Sequence, residues 1–158
     1  AQAEPYRQTV EKLGCFRGIA AHTALPFCVE VGDFRRFATA QQFASYLGLV
    51  PGECSSGDKQ QYTGITKAGN SHLRKLLVET AQVFGRSATK SGKSVALKER
   101  QAKCDSLTVA YADKANARLK KKYFKIAMRS KANIAKTAVA REMACFIWGM
   151  MTDNISCA

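Results

Sequence analysis

Proline is absent from residue 52 to the C-terminus, the three prolines being Pro5, Pro26 and Pro51. Nothing of that kind breaks a helix over the remainder of the chain. Acidic residues are scarce, 12 against 25 Lys and Arg, which leaves a formal net charge of +13. They are also dispersed singly, so the converging carboxylates of two-metal or paired acid–base chemistry are not evident in this chain. The longest apolar run, Met143–Met151, contains Gly149 and falls far short of the ~18 residues of a membrane span. The six cysteines (Cys15, Cys28, Cys54, Cys104, Cys145, Cys157) form no C-x-x-C pair, and His22 and His72 are the only histidines. That argues against a zinc ligand set and favours a reduced, cytoplasmic protein in which Cys28 and Cys145 are small core residues. The first residues, AQAEPYRQTVEKL, lack a signal-peptide pattern and read as the interior of a longer sequence. Alternating strand patterns and internal repeats are missing as well.

What is present points to a folded, helical, basic domain. A hydrophobic fraction of 46% excludes a disordered basic tail. Residues 1–54 hold 5 basic and 5 acidic side chains, whereas 55–158 hold 20 and 7, so the whole charge excess lies in the second part. Such segregation suits a polyanionic partner. The class expected is all-α. A short helix over Pro5–Leu13, a tight turn through Gly14–Gly18 and a second helix to Val31 form a helix-hairpin-helix-like start. Thr39 and Gln42 make a capping-box pattern before a helix ending at Gly48. Pro51–Gly69 reads as a long, polar, Gly-rich loop, a length associated with function. Asn70 is a good N-cap for a helix carrying Leu73, Leu76, Leu77, Thr80, Ala81 and Phe84 on one face. After a second loop over Arg86–Ser94, helices are expected over Val95–Cys104, Leu107 to about Lys131, and Asn133–Thr152, with Trp148 as a packing anchor.

On the long basic helix, Lys114, Arg118, Lys121, Lys125 and Arg129 fall on one side, and Ala112, Ala115, Leu119, Tyr123 and Ile126 line another. The stripe is either a solvated face or a set of phosphate-neutralising cations. Leu107 and Tyr111 lie off the apolar face, which predicts a break or a second contact near them. His22 reads as a structural residue; His72, one turn from Lys75 and near Asn70, reads first as structural, with a phosphate contact as the alternative. The turn Gly14-Cys-Phe-Arg-Gly18 could grip a phosphate with backbone amides or be a purely structural hairpin. Ser55-Ser56-Gly57 alone is ordinary turn chemistry. It gains interest from its downstream neighbours, Lys59 and then Gly64-Ile-Thr-Lys67-Ala-Gly-Asn70 entering a helix start with Arg74 and Lys75. Amides, helix dipole and cations would converge there on a phosphate.

The run Phe37-x-Thr39-Ala-Gln-Gln-x-Ala44-x-Tyr46-Leu-Gly-Leu-Val-Pro51, then Ser56-Gly57, then Gly64-Ile-Thr-Lys-Ala-Gly-Asn70-x-x-Leu-Arg74-Lys-Leu-Leu-Val-Glu-x-Ala81 resembles the C-terminal transposase domain of one insertion-sequence family. Its members are bridge-RNA-guided recombinases with a DEDD-type catalytic domain, relatives of the pilin-gene invertase. Tyr123-Phe-x-x-Ala127, Ala138-Val-Ala-Arg141-Glu-Met-Ala and Ile147-Trp148 extend the resemblance to roughly residues 8–152. It implies that residues 1–158 are the serine-bearing half of a bacterial DNA transposase or site-specific recombinase. A ribonuclease-H-like DEDD domain, absent from this chain, would supply Mg²⁺; no cofactor or metal site is expected in the chain itself, and the fragment alone is expected to be inactive. The nucleophile carried over is Ser56, with Ser55 as the adjacent alternative. Lys59, Lys67, Asn70, Arg74 and Lys75 are nucleic-acid-binding candidates, together with the stripe Lys114, Arg118, Lys121, Lys125 and Arg129. The implied partners are DNA, a guide RNA and further copies in a dimer or tetramer, with a cytoplasmic, nucleoid-associated location and no membrane. Arg17 and Ala20 replace the family's usual proline and second glycine of the first hairpin. A non-catalytic helical nucleic-acid-binding module, or an interaction domain kept soluble by its charge, are the other classes open.

Overall fold

The computed structural model describes residues 4–56, 59–86 and 92–155, with side chains described for all of these except 4, 5, 53–56 and 59–63. In chain order the elements are α1 (Glu4–Leu13), α2 (Ala21–Val31), a 3-10 turn at Phe34–Arg36, α3 (Ala40–Tyr46), β1 (Pro51–Ser56), β2 (Lys59–Ile65), α4 (Ser71–Arg86), α5 (Val95–Gln101), α6 (Ser106–Ala127) and α7 (Ala132–Met151). The class is all-α, with one antiparallel β1–β2 hairpin. That hairpin corrects the reading of Pro51–Gly69 as a continuous loop: only residues 66–70 connect it to α4.

Packing is organised around α7, which lies against α6, α4 and α3. Its charged residues are Lys136, Arg141 and Glu142, and it buries Ala135, Val139, Ala140, Met143, Ala144, Ile147, Gly149 and Met150. A helix apolar on most sides is stable only when surrounded. The core it completes contains Phe16, Phe27, Phe43, Phe84, Leu73, Leu77 and Leu119. Half-buried Trp148 anchors the 3-10 turn by donating its Nε1 to the Phe37 carbonyl at 3.1 Å.

Local signals explain most boundaries. Thr39 accepts from the Gln42 amide at 3.2 Å, while Gln42 reaches back to the Ala38 amide at 2.8 Å, which is a capping box displaced by one residue. Asp105 caps α6 through the Thr108 amide at 3.1 Å and its hydroxyl at 2.6 Å. Pro26 lies inside α2, where it lacks the amide that would reach back to His22, yet the helix continues to Val31 and stops at Gly32. On α6, Ala112, Ala115, Leu119 and Tyr123 are buried as their spacing predicts. Tyr111 does find a second contact, donating its hydroxyl to the Phe146 carbonyl of α7 at 3.1 Å, whereas Leu107 stays exposed.

Candidate nucleic-acid interface

The hairpin register pairs Ser56 with Lys59 and Ser55 with Gln60, so the candidate serines and the first candidate cation sit at its tip; Gly57 lies outside the described residues. Its base is clamped to the end of α3. Thr66 donates to the Val50 carbonyl at 3.0 Å, Lys67 to Gly48 at 3.2 Å and Asn70 to Tyr46 at 2.9 Å. Two glycines make this approach possible. A Cβ at Gly69 (φ +129) would stand 2.2 Å from the Tyr46 oxygen, and one at Gly48 (φ +68) would stand 2.7 Å from the Ala68 oxygen. Lys67 itself takes a left-handed conformation, φ 55, with its side chain exposed. Arg74, half-buried, adds a bond from Nη1 to the Leu47 carbonyl at 3.1 Å.

Asn70 holds the start of α4. Its Oδ1 accepts from the Leu73 amide at 2.9 Å, and its Nδ2 donates to Glu30 of α2 at 2.6 Å. The other oxygen of Glu30 bonds His72 Nδ1. The Asn70 hydrogen bond, with His72 assisting, holds the Glu30 carboxyl below its ordinary range. Asn70 and His72 therefore position the helix start. Lys75 is exposed one turn from Glu79, 3.9 Å away.

The second cluster is on α6, where Lys114, Arg118, Lys121 and Lys125 are exposed; the helix ends at Ala127 rather than near Lys131, so Arg129, also exposed, lies in the turn that follows it. Glu142 of α7, only 12% exposed, accepts from Arg118 at 2.5 Å and from Lys122. The two clusters share one surface. A cleft of about 520 Å³ between the hairpin base and α7 is lined by Lys67 and Arg141. A second, of about 610 Å³, is lined by Arg141, Arg118 and Lys122. Beyond it a third, about 430 Å³, carries Lys121 and Lys125. Lys67, Arg141, Arg118 and Lys122, and then Lys121 and Lys125 thus form a cationic path from the hairpin across α7 to α6. Lys122, Arg141 and Glu142 are site residues that sequence reasoning alone does not single out. Arg141 and Glu142 carry one signal, as two adjacent charges on a helix otherwise nearly apolar; Lys122 carries none beyond its place in a Lys-rich run.

The first turn is built differently. The amides of Gly14, Cys15 and Phe16 bond the carbonyls of Val10, Lys12 and Leu13 at the end of α1, that of Ile19 bonds the Phe16 carbonyl, and that of Arg17 donates to Asn116 Oδ1 at 2.9 Å. Gln101 and Asn116 donate to the Cys15 carbonyl at 3.1 and 3.3 Å. These amides face the protein, which favours the structural reading of the hairpin over the phosphate grip.

Among the described residues no three His, Cys, Asp or Glu side chains converge as a metal ligand set, and no helix is long and apolar enough to cross a membrane.

A family model described as the transposase IS116/IS110/IS902 family matches residues 11–96. The chain is 40% identical over 142 residues to the provisionally named transposase y4qE of Sinorhizobium fredii, covering 89% of this chain and 36% of that protein. It is 35% identical over 77 residues to the transposase for insertion sequence element IS1328 of Yersinia enterocolitica, covering 49% of this chain and 23% of that protein. Over 128 residues it is 33% identical to the transposase for insertion sequence element IS1533 of Leptospira borgpetersenii, covering 78% of this chain and 35% of that protein. The chain thus spans little more than a third, or less, of these relatives' lengths.

Proposed function

The chain belongs to the IS116/IS110/IS902 transposase family, and from that premise we propose that it is the C-terminal, serine-bearing half of a guide-RNA-directed DNA recombinase. In this reading Ser56 is the nucleophile, with Ser55 the alternative. Its hydroxyl oxygen attacks a DNA phosphorus, a serine–phosphate bond forms, and the sugar oxygen leaves as a hydroxyl carrying the proton. A companion carboxylate domain binds Mg²⁺, which would supply charge stabilisation when bound. The dispersal of this chain's own acidic residues fits that division of labour. DNA and guide RNA are the proposed partners, in a dimer or tetramer of the whole protein.

The observation that supports this reading most strongly is the cationic path that begins at the clamped hairpin base and runs over α7 to α6. A nucleophile on a hairpin tip needs a rigid base to meet a phosphate reproducibly, and the interlocked Gly48 and Gly69 backbone provides it. The exposed Lys67 and Lys75, with Lys59 at the tip, then hold neighbouring phosphates, while Arg74 braces the junction. Asn70 enters as a positioning residue.

The test is strand exchange by the whole recombinase, with DNA binding measured in parallel. Ser56→Ala is expected to abolish exchange and leave DNA affinity within about twofold, since a neutral hydroxyl contributes little to a charge-dominated interface. Exchange that persists in both Ser56→Ala and Ser55→Ala would leave the chain a nucleic-acid-binding module without a nucleophile.

A further inference from the structure

The cleft between α6 and α7 differs from the outer stripe in having aromatic walls. Phe146 and Trp148, both half-buried, line it together with Arg118, Lys122 and Arg141. It is an open cleft of about 610 Å³, wide enough to admit a single nucleotide from solvent. Three cations face a single carboxylate there, and Glu142 holds two of them, Arg118 and Lys122, in fixed positions by charge-assisted bonds.

The aromatic walls are equally fixed. The Tyr111 ring meets Phe146 edge-on, centroids 5.9 Å apart at 76°, while its hydroxyl bonds the Phe146 carbonyl at 3.1 Å. That hydroxyl fits because residue 149 is glycine; a Cβ there would stand 2.4 Å from it. Trp148 is tied through Nε1 to the Phe37 carbonyl. The Arg118 guanidinium lies 5.8 Å from the Phe146 ring centroid. Guanidinium planes and aromatic rings are the two surfaces on which unpaired bases stack, and both are presented here beside cations. In a duplex the base faces are occupied by neighbouring base pairs, so an aromatic wall offers it nothing that the lysines of the outer stripe do not. We propose that the α6–α7 cleft is a subsite for an unpaired nucleotide, its phosphate held by Lys122 and Arg141 and its base laid against Phe146 and Arg118. This deepens the reading of the chain as a nucleic-acid-processing domain and does not depend on the serine.

Trp148 is the chain's one tryptophan, so its fluorescence reports on this cleft. The chain would be titrated with a short oligothymidylate, the matching oligouridylate and a blunt DNA duplex of the same length. Saturable quenching by one or both single strands, with little from the duplex, is expected; the tighter single strand tells DNA from RNA. Arg141→Ala and Phe146→Leu should each weaken single-strand binding by about tenfold, and duplex binding by no more than about threefold, because the outer stripe is untouched. Lys122→Ala, a partly exposed surface position, serves as the third variant should Phe146→Leu fail to fold. Equal quenching by duplex and single strands, or equal losses for both in Arg141→Ala and Lys122→Ala, would overturn the proposal. Ser56→Ala should leave the quenching unchanged. A missing serine adduct with intact quenching therefore removes the nucleophile and keeps the cleft, and the reverse result removes the cleft alone.

Discussion

Asn70 and Glu30, forty residues apart in sequence, are joined by a 2.6 Å hydrogen bond that ties the start of α4 to the end of α2. The same Asn70 side chain caps α4 through the Leu73 amide at 2.9 Å. One residue thus closes a helix end and a tertiary contact, which accounts for an asparagine where serine or aspartate would cap as well.

That double role is separable by substitution. Asn70→Ala is expected to destabilise the domain by about 1–2 kcal/mol, the range of a lost cap. Asn70→Asp restores the cap but sets a second carboxylate against Glu30, so it should recover only part of the loss. Denaturant titration of the three proteins checks this, and an Asn70→Asp variant as stable as the parent would remove Glu30 from the explanation.

The lowered pKa of Glu30 gives a sign for pH dependence. Its stabilising contribution is present above the unfolded value, near 4.5, and is lost as pH falls through the lower folded value. Glu30→Gln should therefore show a shallower fall in thermal midpoint below pH 4.5 than the parent. Parallel curves for the two proteins would contradict the assignment.

Burial pushes the Cys15 thiol up to about 12, with Cys104 beside it contributing, and pushes the Cys28 thiol up to about 11. Both stay protonated in the folded protein at neutral pH. Alkylation at pH 8 is expected to be slow at these two positions until the chain is unfolded, as peptide mapping would report. Their contribution to stability is present below the unfolded value of 9.0 and is lost as pH rises toward the folded values.

The stripe along α6 and the turn after it predicts a salt signature. Each of Lys121, Lys125 and Arg129 that meets a duplex phosphate should, when replaced by alanine, lower the slope of log affinity against log salt by roughly 0.9. Titrations at several salt concentrations measure it. An unchanged slope in the triple variant would mean that the stripe is only a solvated face.

Much of this architecture is legible in the sequence where one helix or cap decides the outcome. Leu73, Leu77, Thr80, Ala81 and Phe84 recur at helical spacing and are buried, and Thr39, Asn70 and the faces of α6 behave as their patterns dictate. The hairpin is not legible in this way. Residues 51–65 are polar and carry no alternation, and their pairing is framed by a clamp of residues 66–70 on α3, a long-range arrangement. Arg141 shows in the sequence only as part of a motif and as a charge on a nearly apolar helix, because its position between two clefts arises from how α7 packs against α6 and the hairpin. Tyr111 shows there only as an irregularity, and its reason is the space left by Gly149.

The most direct test of the proposed chemistry traps the reaction intermediate. The recombinase carrying both the proposed carboxylate domain and this chain would be incubated with guide RNA, target DNA and Mg²⁺, denatured, and the protein–DNA adduct mapped by mass spectrometry. Attachment at Ser56 is expected, lost in Ser56→Ala and retained in Ser55→Ala. Attachment at a residue outside Ser55 and Ser56, or exchange without any adduct, would contradict a serine nucleophile on this hairpin.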